Sequence, residues 1–201
     1  MNPATATMKE GVEMVGLLEK LRAITPRRAL TTTEARFVAA RQAALLLSEL
    51  DVQVPGMPES VLAELPFLTV ARHDRFPTSG MTTQTNDNGW VVVLKGTEPK
   101  VRQRFSLAHE LKHIIDDPFI HALYPPLGRL SADERAEAIC DHFAGCLLMP
   151  KRWLVRDWCG GRQNIERLAE RYAVSRAAIR VRLSQLGLVG PTPRCLGMAE
   201  A

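Results

Sequence analysis

"RFSLAHELKHIIDDP", residues 104–118, contains the spacing H-E-x-x-H, with His109, Glu110 and His113 at its defined positions. If this stretch is helical, the two histidines lie about 40° apart around the axis and one turn apart along it, so their imidazoles share one face. The opposite face carries the apolar residues Leu107, Ala108, Leu111, Ile114 and Ile115. The pattern therefore predicts an amphipathic helix that buries its apolar side and turns both imidazoles toward a cleft.

The chemistry of this helix predicts a metal site, with Zn²⁺ as the expected ion and another divalent metal such as Mn²⁺ as the alternative. A catalytic zinc usually takes three protein ligands and keeps one position open, so His109 and His113 need a third partner. Glu110 lies about 100° around the helix from His109, beside the ion without ligating it. That position is typical of a base that accepts a proton from the attacking water.

A second segment, "SADERAEAICDHFAGCLLMP" at residues 131–150, predicts another helix that ends at Pro150. Ser131 and Glu134 match a capping box, which gives Glu134 a structural role. Glu137 and Asp141 remain, four residues apart on one face. In the functional interpretation Glu137 is the third ligand and Asp141 accepts the free N–H of a liganding histidine. In the structural interpretation both are solvated carboxylates.

Three segments together resemble the ImmA/IrrE family of bacterial and phage metallopeptidases, over roughly residues 85–150. "RQRFSLAHELKHII" resembles the family's active-site helix, "ERAEAICDHFAGCLLMP" its E-x-x-A-N-x-F-A-x-x-L-L-M-P segment, and "GWVVVLKGTEPKVRQRF" the strand that leads into the helix. The family is related in site design to thermolysin-like enzymes, in which a downstream Glu completes H-E-x-x-H. By this match Glu137 occupies the third ligand position, and Asp141 the position of the acid that orients a histidine.

The resemblance implies a zincin-like fold and a zinc endopeptidase that makes limited cleavages in a protein. The typical substrate in the family is a helix-turn-helix repressor or an antitoxin, whose cleavage relieves repression. Two positions depart from the family pattern. Lys112 stands where Gly is frequent, and Cys140 with Asp141 where Ala-Asn is frequent. Neither change removes a ligand, and we expect Lys112 to crowd or charge the helix flank and so to affect substrate preference.

The region before the active-site helix predicts an α+β fold with a small, mostly antiparallel sheet. "TTTEARFVAARQAALLLSEL" follows a threonine cap and predicts an amphipathic helix to about Leu50. "FLTVAR" is a candidate strand, and the "NDNG" turn directly precedes a valine-rich strand from Trp90 to Leu94. This last strand has two interpretations: it pairs with an extended substrate by strand addition, or it is simply buried.

The segment "HALYPPLGRL" between the two predicted helices contains two prolines and a glycine and predicts a loop that borders the cleft. His121 and Tyr124 in this loop are candidates for polarising a carbonyl or stabilising an oxyanion opposite the metal. The alternative is that each is a packing or surface residue.

The C-terminal quarter carries the positive charge of the chain. From Lys151 to Ala201 there are ten Lys or Arg and four Asp or Glu, net +6, whereas the whole chain is +4 and the first 150 residues are therefore −2. Within this region "IERLAERYAVSRAAIRVRLSQLGLVG" predicts helix, turn at Val174–Ser175, helix. The candidate nucleic-acid contacts are Arg176, Arg180 and Arg182. Arg180 and Arg182 flank the buried side, which suits phosphate contact better than base reading, so a packed helical pair is the competing interpretation.

The composition, with 46% hydrophobic and 24% charged residues, is typical of a globular enzyme. Neither a signal peptide nor a membrane span is expected, and the cysteine spacing shows no paired framework, which together predict reduced thiols and a cytoplasmic location. The predicted organisation is an N-terminal tail or weak helix (1–30), a metallopeptidase domain (31–160), a helix-turn-helix-like element (161–190) and a C-terminal tail (191–201).

Two other functions remain open at this point. A metal-sensing or partner-binding regulator would keep the site without turnover and act through DNA or a repressor. A metal-free structural copy of the fold would use neither.

Overall fold

The computed structural model describes residues 16–190, which form an α+β fold as predicted. The strands are β1 (Leu68–His73), β2 (Gly80–Gln84) and β3 (Trp90–Lys95). The helices are α1 (residues 16–23), α2 (Thr32–Glu49), α3 (Ser60–Ala63), α4 (Lys100–Asp116), α5 (Ile120–Leu123), α6 (Ala132–Leu148), α7 (Lys151–Cys159), α8 (Ile165–Tyr172) and α9 (Arg176–Gln185).

Capping boxes fix where two of the long helices begin. Thr31 caps α2 and exchanges hydrogen bonds with Glu34, and Ser131 caps α6 in the same way with Glu134. These contacts satisfy amides of the first helical turn, which have no partner inside the helix. The structural role predicted for Glu134 is confirmed. Because the cap sets the start of α6, it also sets which of its side chains face α4.

The sheet has the strand order β1-β3-β2 and is mixed. β3 pairs in parallel with β1, with Leu68 opposite Trp90, and antiparallel with β2, with Gly80 opposite Leu94. The expectation of a mostly antiparallel sheet is therefore corrected to one pairing of each kind. β3 has neighbours on both sides and buries alternate residues, so the buried-strand interpretation fits it and strand addition does not.

Packing of the helices against one another and on the sheet brings together α4, which carries the two histidines, and α6, which carries Glu137 and Asp141. α4 packs on β2 and β3, and α6 packs on both α2 and α4. The apolar face predicted for α4 is buried, with Leu107, Leu111 and Ile114 completely inaccessible. The same hydrophobic cluster extends from Leu17 in α1 to Leu188 after α9. The opposite face of α4 is thereby left at a cleft.

Helix α1 is tied to the active-site helix by a side chain. Arg22 donates to the carbonyl oxygens of Ile114 at 2.9 Å and Ile115 at 3.3 Å, near the C-terminal end of α4. These carbonyls lie in the last turn of the helix, where a cation is favourable. Residues 1–15, which belong to the predicted N-terminal tail or weak helix, lie outside the described residues.

The predicted helix-turn-helix arrangement is present as α8 and α9, with the turn where it was expected. Ala173 has the left-handed conformation (φ 47°) that ends α8, and Ser175 caps α9 through the amide of Ala178. Buried Asp157 of α7 accepts hydrogen bonds from Arg171 at 2.8 Å and from the hydroxyl of Tyr172 at 2.9 Å. The pair is therefore attached to the rest of the fold by buried polar contacts.

Several details of the chain differ from the sequence predictions. Helices α3, α5 and α7 were not predicted, and α5 lies in the segment expected to be loop. Cys140 and Cys146 are free and buried, whereas Cys159 is disulfide-bonded, so the prediction of reduced thiols is wrong at Cys159. Among residues 16–190, no helix combines the length and apolar character needed to cross a membrane.

Candidate metal centre

The predicted metal-site residues lie together in one cleft of about 640 Å³, bounded by α4, α6 and β2. The cleft is lined by all five residues predicted for the site, namely His109, Glu110, His113, Glu137 and Asp141. Two elements distant in sequence supply them, since α4 and α6 pack side by side. Their packing places His109 next to Asp141 and both histidines next to Glu137.

Three donor groups converge at the centre of this cleft. The Nε2 atoms of His109 and His113 are 3.1 Å apart. One carboxylate oxygen of Glu137 lies 3.2 Å from Nε2 of His109, and the other lies 3.2 Å from Nε2 of His113. Nitrogen and oxygen atoms that face one another so closely are favourable only when a proton or a metal ion lies among them.

Asp141 orients the first histidine. Its Oδ1 lies 2.9 Å from Nδ1 of His109, and an ionised carboxylate can only accept, so Nδ1 carries the hydrogen. The lone pair of Nε2 is then directed toward His113 and Glu137. This is the arrangement in which an outer carboxylate fixes the tautomer of a liganding histidine.

The electrostatics of the cluster favour a cation. Burial alone would lower the pKa of His109, yet its hydrogen bonds to Asp141 and Glu137 and their charges raise it to about 9. The hydrogen bonds from His109 and His113 hold the pKa of Glu137 well below its usual range, against a smaller opposing effect of burial. The cluster thus stabilises positive charge at the point where the donors meet.

The donor set fits a zinc-sized ion. Two donors about 2.1 Å from one tetrahedral ion lie roughly 3.4 Å apart, and the observed separations are 3.1 and 3.2 Å. Cys140 is a rival third donor, because its Sγ and one ring nitrogen from each histidine all lie within 4.8 Å of one another. Burial raises the pKa of this inaccessible thiol well above its ordinary value. Glu137, whose lowered pKa keeps it ionised and whose oxygens lie 3.2 Å from Nε2 of each histidine, is the better third donor.

Glu110 has a partner that the sequence did not indicate. The hydroxyl of Thr82 in β2 donates to Oε2 of Glu110 at 2.6 Å. Gly80, two residues earlier on the strand, lies so close that a Cβ there would be 2.9 Å from Oε1 of Glu110. Both residues line the cleft. No motif marked them, because β2 reads "GMTTQ" and has no hydrophobic alternation.

The two candidate oxyanion residues are not in the cleft. Tyr124 is 1% exposed, and its hydroxyl donates at 2.6 Å to Oδ2 of Asp116, which is completely buried. His121 is exposed on α5, and of that short helix only Ile120 lines the cleft. The structure therefore assigns Tyr124 to packing and His121 to the surface. Both residues lie in the segment that borders the cleft, but neither side chain points into it.

Lys112 does not charge the helix flank. It is completely buried and donates to Oε1 of Gln42 at 2.8 Å and to Oδ1 of Asp116 at 2.6 Å. The expectation that Lys112 influences the substrate side is corrected, because the side chain lies in the core between α2 and α4.

The three arginines considered for nucleic acid differ in availability. Arg182 is 4% exposed and donates to the carbonyl of Met149 at 3.3 Å, so it is a packing residue. Arg176 is exposed and lies 3.4 Å from Glu166. Arg180 is exposed on the outer side of α9.

Taken together, the fold and the donor set define a metallopeptidase-like protein of the H-E-x-x-H type. The family model for the IrrE N-terminal-like domain, peptidase family M78, matches residues 68–184, which is more than half of the chain, and the chain belongs to this family. The resemblance seen in the sequence is thereby confirmed.

Among solved structures, a Mycobacterium tuberculosis transcriptional regulator is similar, with a TM-score of 0.59 and 21% sequence identity. The match covers 89% of this chain and 54% of the regulator, so this chain corresponds to about half of that protein. At this identity the likeness establishes the fold. A comparison with curated proteins finds no match.

Proposed function

We propose that the protein is a zinc-dependent endopeptidase that makes limited cleavages in a protein substrate. The observation that carries the proposal is the convergence of His109, His113 and Glu137 in one cleft with Glu110 beside them. Family membership supports the peptidase activity. Zinc, endopeptidase specificity and substrate are the proposed refinements.

In this proposal the residues of the cleft have distinct tasks. His109, His113 and Glu137 would hold the ion, which when bound would polarise the scissile carbonyl and make water a better nucleophile at neutral pH. Asp141 keeps His109 in the liganding tautomer. Glu110 accepts a proton from the attacking water and returns it to the leaving amine.

The edge strand β2 is the proposed site for the substrate backbone. Within the described residues β2 pairs with β3 only, so its other edge has free backbone groups. Gly80, Met81 and Thr82 of this strand line the cleft. An extended peptide could pair there and cross the donor cluster, and such pairing recognises backbone more than sequence. This replaces β3, for which substrate pairing was one of the two interpretations of the sequence.

The proposed substrate is a helix-turn-helix repressor or an antitoxin, whose cleavage would relieve repression. The support is the resemblance to ImmA/IrrE peptidases; no contact in the cleft identifies this substrate.

The test measures metal content and cleavage together. Purified protein is analysed for bound metal and incubated with a repressor encoded beside its own gene, with and without a chelator. We expect cleavage that stops on chelation and returns with Zn²⁺. His109→Ala and Glu137→Ala should each lower zinc per chain well below that of the parent. If Glu137→Ala binds zinc as tightly as the parent, the third ligand is misassigned and Cys140 replaces it.

A regulator that binds DNA or a repressor without cleavage is the second candidate. Two observations favour it: the +6 charge of residues 151–201 and the transcriptional regulator among similar structures. Specific retention of an operator with no metal-dependent cleavage would select this candidate.

A further inference from the structure

Strand β2 holds the catalytic carboxylate from two sides. Thr82 donates its hydroxyl hydrogen to Oε2 of Glu110 at 2.6 Å, and Gly80 leaves room for Oε1. Thr82 and Gly80 are two residues apart on a strand, so they present the same face to α4. Glu110 is 8% exposed, which means that these contacts, and not bulk water, surround much of its side chain.

The contact has the geometry of an orienting hydrogen bond. A glutamate has several rotatable bonds, and a single short bond to one oxygen removes much of that freedom. With Oε2 engaged by Thr82, Oε1 is the oxygen left to exchange a proton. Proton transfer requires that oxygen within hydrogen-bond reach of the attacking water, so small displacements are costly.

We propose that Thr82 is a positioning residue for Glu110, and that Gly80 is required because any side chain there would displace the same carboxylate. This inference rests on the proposed peptidase function. Because β2 is also the proposed edge for substrate pairing, one strand would align both the peptide and the base. The threonine does not touch the ion or the scissile bond, and it acts through Glu110.

The variants are chosen to separate the hydroxyl from the shape of the side chain. Thr82→Val keeps the branched shape and removes the donor, and Thr82→Ser keeps the donor. Thr69→Val is the matched control, because Thr69 is an exposed threonine of strand β1 and does not line the cleft. Gly80→Ala tests the second contact, since its Cβ would lie 2.9 Å from Oε1 of Glu110.

The probe is a peptide that the parent cleaves, selected from a random-sequence library of internally quenched peptides. For Thr82→Val we expect unchanged zinc content, an unchanged KM and a kcat reduced about 10- to 100-fold, as misplacement of a reacting group typically costs. Thr82→Ser should restore most of the rate, and Thr69→Val should match the parent. Gly80→Ala should reduce kcat with zinc retained.

A double substitution distinguishes positioning from a general structural role. In the Glu110→Gln background Thr82→Val should cause no further loss, because its effect passes through the carboxylate. An additive loss overturns the inference, as does a Thr82→Val variant with the parent kcat. If the zinc-loaded parent cleaves no peptide of the library and no repressor, the proposed function fails and the inference falls with it.

Discussion

Helix α4 carries two polar pairs with the same four-residue spacing, His109 with His113 and Lys112 with Asp116, and the two pairs differ in their exposure to solvent. The side chains of Lys112 and Asp116 are completely buried, at 0% exposure each. Those of His109 and His113 retain 15% and 23% exposure at the wall of the cleft. One helix therefore presents a sealed pair to the core and an accessible pair to solvent.

The two pairs also differ in how their polar atoms are satisfied. Lys112 donates to Asp116 and Gln42, and Asp116 accepts in addition from the hydroxyl of Tyr124. Every charge in that group has a complementary partner. In the cleft, Nε2 of His109, whose Nδ1 carries the hydrogen, faces the carboxylate of Glu137, so two acceptors meet unless a proton or a metal ion lies between them. The sealed group is complete by itself, and the accessible group is completed by a cation.

The comparison teaches how a structural cluster of ionisable groups can be told from a reactive one. Perturbed ionisable groups occur in both, so burial or a shifted pKa alone does not separate them. The separating feature is whether donors and acceptors balance within the protein. Substitutions in the two pairs should accordingly act on different observables: activity for the accessible pair and stability for the sealed pair.

The largest effect is expected for Glu110→Gln, which keeps the size and hydrogen bonding of the side chain but removes the base. Turnover should fall about 100- to 10,000-fold, since that is the usual cost of losing general-base catalysis. Zinc stoichiometry and the free energy of unfolding should stay at the parent values. The measurements are metal content, urea denaturation and the cleavage rate of parent and variant side by side.

Glu64→Gln, a substitution of an exposed glutamate remote from the cleft, is the matched control and should change none of these. If Glu110→Gln cleaves at the parent rate, Glu110 is not the base. If it loses zinc, Glu110 is a ligand and the division of tasks in the cleft is wrong.

In the sealed pair, Lys112→Met should act on stability. It leaves the carboxylate of Asp116 buried without its cation, and breaking a buried ion pair in this way costs about 3–5 kcal/mol. Urea denaturation measures the change in the free energy of unfolding. The double variant Lys112→Met/Asp116→Leu should be less destabilised than the single one, because no uncompensated charge remains. A single variant as stable as the parent would mean that the sealed group contributes no structural constraint.

The sequence predicted the parts of the molecule that depend on local spacing. The face shared by His109 and His113, the capping box at Ser131 and the turn before α9 all follow from residues within a few positions of each other. Glu137 was predicted as the third ligand from its spacing to Asp141 and from the family resemblance. For these features the period of the helix determines the geometry, and a period is visible in sequence.

The remaining features depend on contacts between distant segments. Thr82 meets Glu110 across 28 positions and Lys112 meets Gln42 across 70. Neither contact can be predicted from a local sequence pattern. The polar strand β2 also lacks the hydrophobic alternation from which a strand is predicted. The sequence predicted that Tyr124 faces the cleft, because it lies in the segment between the two predicted helices. The tertiary fold turned it to Asp116 instead.

A smaller effect is expected for Asp141→Ala. The variant removes the acceptor for Nδ1–H of His109, so the imidazole loses its fixed tautomer and orientation, while all three proposed ligands remain. Losses of such outer partners typically cost about 10- to 100-fold in metal affinity or activity. Competition with a metal-binding dye measures the affinity for zinc. Asp133→Asn, at the start of the same helix, is the control and should bind zinc as the parent does. An Asp141→Ala variant with the parent affinity would show that the 2.9 Å contact does not tune the site.

The smallest effect is expected at the basic C-terminal pair, where the comparison between sealed and accessible charge applies again. Arg182 is sealed against Met149, and Arg176 lies beside Glu166, which leaves Arg180 as the exposed arginine of α9 without an ion pair among the described residues. A single such arginine on α9 should give weak binding to duplex DNA that is independent of sequence and lost as salt rises. Fluorescence anisotropy over a series of salt concentrations measures this. Arg180→Ala should reduce the salt dependence by about one phosphate contact at most, and Arg182→Ala should change stability more than DNA binding.

A strong preference for one operator at physiological salt would contradict the packed-pair interpretation, because sequence reading requires side chains directed at base edges. It would also make the regulator the better description of the protein, with the accessible site on α4 serving as its sensor.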